Sequence, residues 1–176
     1  EALEAGATVT EIKETMYQTA PYVGIARVRE ALEMVNAELE SEGICPEEPE
    51  DQSSVSAETR FERGLAVQTG IFGDRIRVMR ESAPAETKHI QDCLSANCFG
   101  DYYTRGGLDL KMRELITFVS ICSIGGCESQ AKGHVSGNLS VGNTKETLIA
   151  AVTTCLPYLG YPRTLNALSC INEVCG

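Results

Sequence analysis

An all-α fold is predicted by three observations on the 176-residue sequence. No segment shows the period-two alternation and β-branched enrichment of a strand. The tetrapeptide Pro21-Tyr22-Val23-Gly24 returns as Pro157-Tyr158-Leu159-Gly160, each time between two helical patterns. Short polar residues also stand three positions before a carboxylate at Thr8/Glu11 and Asn143/Glu146, the spacing of a capping box.

The first element is a helical hairpin over residues 1–42, whose first helix starts after the Gly6 turn and breaks at Pro-Tyr-x-Gly. Proline disrupts a helix interior and glycine permits the turn. Sliding the chain by 136 positions keeps Gly6 on Gly142, Thr8 on Thr144, Arg27 on Arg163, Ala31-Leu32 on Ala167-Leu168 and Asn36 on Asn172. That register marks an internal repeat of helical hairpins, and residues 1–42 read as the end of a first, truncated copy. Residues 43–58 are acidic, bear Pro and Ser and lack periodicity, as a surface linker does. The complete unit spans 59–176, with helices expected around 57–71, 84–98, 109–123 and 127–140, then the second hairpin.

Hydrophobic residues make up 43% and charged residues 23%, an ordinary globular balance that excludes fibrous and disordered classes. Against 25 Asp and Glu stand 15 Lys and Arg, a formal charge of −10 that repels nucleic-acid phosphates and anionic lipid. No stretch approaches the roughly 20 apolar residues that span a bilayer, and Glu1-Ala2-Leu3-Glu4 is not a basic-then-apolar leader. A soluble cytoplasmic protein without nucleic-acid or membrane partners is expected. The eight cysteines lie in helical patterns rather than in the loops of a disulfide-stapled scaffold, and a reducing compartment suits them. Cys93 and Cys98 are five apart, which is no metal spacing, and only two histidines are present, so neither metal nor cofactor is expected.

Residues 99–168 carry the ordered motifs G-x-x-x-x-R-x-G-L-D, R-x-L-I, G-H-x-x-x-x-L-x-x-G and Y-x-G-x-P. With RFERGLAVQTGIFGD at 60–74 they resemble the carboxymuconolactone decarboxylase family. The resemblance implies the helical alkylhydroperoxidase D-like fold, a trimer or hexamer, and a small-molecule substrate bound near a subunit or repeat interface. It departs from the family's decarboxylases at Tyr103 and Gly106, where they commonly have Trp and Pro. The family's peroxidase branch carries C-x-x-C-x-x-x-H, whereas here Cys127 precedes Gln130 and then His134.

His134 is the first candidate for proton transfer, an imidazole two helical turns after Cys127 and on the same face. Its alternative is a packed histidine bonded to a carbonyl. His89, beside Lys88, reads as solvated. Cys127 opens a helix after two glycines, where the positive end of the helix dipole favours a thiolate; otherwise it is a packed or capping thiol. Glu114 falls where the resemblance implies a proton-relay carboxylate, or pairs with Lys111 or Arg113 on an exposed face. Arg105 either grips a substrate carboxylate bidentately or anchors its own turn. Tyr103 and Tyr158 complete the substrate-binding candidates, with hairpin packing as the other reading of Tyr158 and its repeat mate Tyr22. Gly133 and Gly137 allow close helix approach. Two chemistries follow, namely decarboxylation of a carboxylated lactone or related acid with His134 as proton donor, or hydroperoxide reduction through Cys127. A non-catalytic oligomeric binding protein is the third possibility.

Overall fold

The computed structural model describes residues 1–47 and 50–176, so residues 48 and 49 of the expected linker lie outside the described residues. Among the described residues every regular element is helical. They comprise α1 (Val9–Val23), α2 (Ile25–Ser41), α3 (Arg60–Phe72), α4 (Arg75–Ser82), α5 (Lys88–Cys93), a π-helical segment (Leu94–Tyr102), α6 (Leu110–Ile124), α7 (Glu128–Ser140), α8 (Lys145–Thr154), α9 (Leu156–Leu159) and α10 (Tyr161–Cys175). A short 3₁₀ turn, Ala85–Thr87, leads into α5.

Local chemistry accounts for the helix ends. Thr8 and Glu11 form the expected capping box, the Glu11 amide donating to Thr8 Oγ1 at 3.1 Å and the Thr8 amide to Glu11 Oε2 at 2.8 Å. At α8 the cap is Thr144 rather than Asn143. Its hydroxyl accepts from the Thr147 amide, so the expected Asn143/Glu146 box is off by one residue. Helix α1 continues past Pro21, and the break falls at Gly24, whose φ of 88° is matched by 75° at Gly160. A left-handed φ there suits glycine alone among common residues. Asp109 caps α6 by accepting from the Met112 amide at 2.8 Å.

Two expectations are corrected. The helix placed at 84–98 runs on as a π-helix to Tyr102, and α4 had no counterpart in the sequence reading. Eight residues with three arginines and a single buried side chain, Ile76, show no apolar period to detect. Residues 52–54 of the expected surface linker are tied to a neighbouring turn. The Gly106 amide donates to the Gln52 carbonyl at 2.9 Å and Ser54 Oγ to the Thr104 carbonyl at 2.6 Å, strapping this segment across the 104–107 turn.

Two apolar clusters hold the molecule together. Phe118, Val135, Leu148, Val152 and Ile171 are fully buried among α6, α7, α8 and α10. Each such side chain contributes about 1.5–3 kcal/mol of transfer free energy. Ile71, Cys98, Phe99 and Tyr103 form the second cluster between α3 and the π segment. There the backbones nearly touch, because a Cβ on Gly64 would lie 2.0 Å from the Ser95 carbonyl oxygen and 2.4 Å from the Gly100 amide nitrogen. The N-terminal α1 packs along α6 through a polar face, with Lys13, Glu14 and Gln18 buried.

Candidate active site

Where the two clusters meet, α7 brings His134 against α6. His134 Nδ1 lies 2.9 Å from Glu114 Oε2, and the Glu114 side chain is fully buried. Gly137, one turn after His134, makes the approach possible. A Cβ there would fall 2.5 Å from Glu114 Oε2 and 2.8 Å from Phe72 Cε1. Asn138 fixes the register of the two helices by donating to the Glu114 carbonyl at 2.9 Å and the His134 carbonyl at 2.8 Å.

Behind Glu114 runs a polar chain. Arg113 can only donate, and its Nη1 does so to Gln18 Oε1 at 3.0 Å, which turns Gln18 Nε2 toward Thr117 Oγ1 at 3.1 Å. Tyr103 Oη lies 2.8 Å from Thr117 Oγ1. Tyr103 donates in turn to Glu114 Oε1 at 2.7 Å. The carboxylate's second oxygen therefore faces an Nδ1–H, and His134 Nε2 has no protein partner among the described residues. This is how a buried carboxylate fixes the tautomer and orientation of an imidazole.

His134 lines a groove of about 660 Å³ between α3, α4, α5, the π segment and α7, with the end of α1 closing one side. Phe72 and Tyr22 stand edge-on to the imidazole, with ring centroids at 5.3 and 6.0 Å. Tyr22 Oη lies 3.1 Å from Cys98 Sγ. Burial pushes the Cys98 thiol up to about 12 and raises the Tyr22 and Tyr103 hydroxyls well above the ordinary tyrosine value. All three are protonated at neutral pH. Cys127 caps α7 without a side-chain bond and lines the same groove as His134, as do Cys93 and Cys98.

The remaining candidates are placed differently. Glu114 and Tyr103 are buried and do not line the groove, Glu114 meeting His134 and Tyr103 donating to Glu114. Arg105 is also absent from its walls. Its Nε and Nη2 donate to Glu14 Oε1 at 2.8 and 2.7 Å, and its guanidinium covers the Tyr17 ring at 5.1 Å. A fully buried Glu14 must be neutralised, and Arg105 and Arg113 do so together, anchoring the 104–107 turn to α1. Tyr158 is 85% exposed on α9 and lines none of the described cavities, whereas Tyr22 does line the groove. Arg75, at the start of α4, was missed with its helix. It is the only Lys or Arg among the residues described along the groove, and its guanidinium covers the Phe72 ring at 5.5 Å.

The model of the carboxymuconolactone decarboxylase family matches residues 89–173, which include Glu114, Cys127 and His134. A protein of Acinetobacter baylyi (strain ATCC 33305 / BD413 / ADP1), described as a 4-carboxymuconolactone decarboxylase, is 26% identical over 118 residues, covering 66% of this chain and 87% of the relative. Fold and motif order agree with both comparisons, and residues 89–173 of the chain are similar to the carboxymuconolactone decarboxylase family.

Proposed function

We propose that the protein is a lyase that removes CO2 from a carboxylic acid whose developing carbanion is conjugated to a carbonyl, as in a carboxylated lactone. The observation that carries this reading is the His134 imidazole, fixed through Nδ1 on buried Glu114 and set in the wall of a largely apolar groove. An apolar wall strips water from the reacting carboxylate, whose charge disperses as CO2 departs. The bond between the carboxyl carbon and its neighbour breaks, and its electron pair passes into the conjugated carbonyl. A protonated His134 then delivers the Nε2 proton to carbon, with Glu114 as the counter-charge, and solvent returns the proton. Overall, one carboxylate and one proton become one C–H bond and one CO2. The name of the Acinetobacter relative supports this chemistry class.

Hydroperoxide reduction is the second reading, favoured by the three cysteines along the groove. In it a Cys127 thiolate takes the peroxide's terminal oxygen, an alcohol leaves, and a second thiol closes a disulfide with loss of water. Cys98 is poorly suited to resolve it, because burial keeps that thiol protonated.

The test is CO2 release across a panel of carboxylated lactones, run beside thiol counts before and after mild peroxide treatment. Release that survives in Cys127→Ser, with an unchanged thiol count, supports the lyase. Loss of two thiols per hydroperoxide without CO2 from any lactone refutes it in favour of the reductase.

A further inference from the structure

The groove beside His134 is larger and more apolar than a single-ring lactone acid requires. Its about 660 Å³ falls in the range of sites for drug-sized ligands. The wall away from His134 is built from Ile76, Met79, Ile90 and Leu94, and Ile90 is 56% exposed to solvent. Apolar surface lining a concave site gains from an apolar occupant that displaces water.

Charge is confined to one place. Arg75 makes no ion pair with a carboxylate among the described residues, and its contact is the face of Phe72. Phe72 in turn stands edge-on to His134 at 5.3 Å. A guanidinium offers a planar fork of donors that suits a carboxylate. One cation, packed on Phe72 and with Nη2 3.1 Å from where a Cβ on Gly133 would stand, therefore provides for one anionic group.

We propose that this groove takes an elongated organic acid, with a non-reacting carboxylate on Arg75 and an apolar body along α4 and α5. This rests on the lyase reading for the end of the molecule that faces His134. The carboxylate on Arg75 is not the one lost, because a guanidinium stabilises a carboxylate in place. The reacting carboxylate is a second one, lying against the apolar wall next to His134. Arg75 is thus the specificity-determining residue, and it selects for a second anionic group besides the reacting one.

Binding can be measured apart from turnover, because a saturated monocarboxylate has no carbonyl to receive the electron pair and cannot lose CO2. Decanoate, butyrate and decanol serve as probes, titrated calorimetrically into the full chain. Decanoate is expected to bind at least tenfold more tightly than either butyrate or decanol. Arg75→Met should remove at least tenfold of the decanoate affinity while leaving decanol unchanged, and His134→Gln should leave decanoate binding intact. Equal affinity for decanoate and decanol, or decanoate binding indifferent to Arg75→Met, overturns the proposal. So does a change of sedimentation coefficient on decanoate saturation, which would mean that a second copy of the chain fills the groove. Absence of CO2 release from every lactone, with these affinities as expected, would count against the lyase reading alone.

Discussion

Replacing Glu114 with Gln changes one atom of a fully buried side chain and removes the charge opposite His134. The carboxylate accepts two bonds, from Tyr103 Oη at 2.7 Å and His134 Nδ1 at 2.9 Å. An amide can accept on its oxygen only. Tyr103 Oη donates toward residue 114. The amide oxygen accordingly turns to Tyr103 and its NH2 meets Nδ1, which pushes the histidine proton to Nε2. A hydrogen bond to a charged group is worth about 1.5–3 kcal/mol. At 1.36 kcal/mol per decade, the Glu114→Gln enzyme loses roughly 10- to 150-fold in kcat. Steady-state CO2 release gives the rate, and nitrogen-15 NMR of the histidine ring reports the tautomer. Full activity with the Nδ1–H tautomer retained would refute the reasoning.

Gly137→Ala should cost activity and about 1–3 kcal/mol of stability despite alanine's better helix propensity, because the new Cβ would meet Glu114 Oε2 at 2.5 Å; thermal unfolding beside CO2 release checks it. Burial holds Cys98 and Cys122 protonated to about 12 against an ordinary 9.0, so the unfolded chain releases those protons first and stability falls as pH rises from 9 towards 12, by up to about 1.4 kcal/mol per unit for each thiol. Urea midpoints at pH 8 and 10 should show that drop, and Cys98→Ala should reduce it. Tyr158, Tyr161 and Leu165 leave an exposed apolar stripe on α9 and α10, and a homo-oligomer should bury it. Sedimentation at micromolar concentration should give a mass well above 19 kDa, reduced by Leu165→Glu; a stable monomer would contradict this.

Helix periods and glycine turns made the helical class legible, and the spacing of Cys127 and His134 placed both on one groove. The polar chain was not legible. Glu14, Gln18, Arg113 and Thr117 are residues that patterning assigns to a solvated face, yet α1 and α6 bury them against one another. Such residues go inside when their charges are paired, and pairing between positions about a hundred residues apart leaves no local signal. The same long-range pairing draws Arg105 to Glu14 and away from the groove. Arg75 was hidden for a different reason. It opens a short, strongly charged helix with one buried side chain, where no periodicity distinguishes helix from loop.

The central claim is that His134 delivers the proton that replaces CO2. The most direct measurement compares CO2 release by the unaltered protein and His134→Gln on the same carboxylated lactone, with circular dichroism showing both folded. Removing a positioned proton donor should cost about 2–4 kcal/mol of transition-state stabilisation, a fall of at least thirtyfold in kcat/KM. Equal rates from the two proteins would make His134 a structural residue and contradict the account.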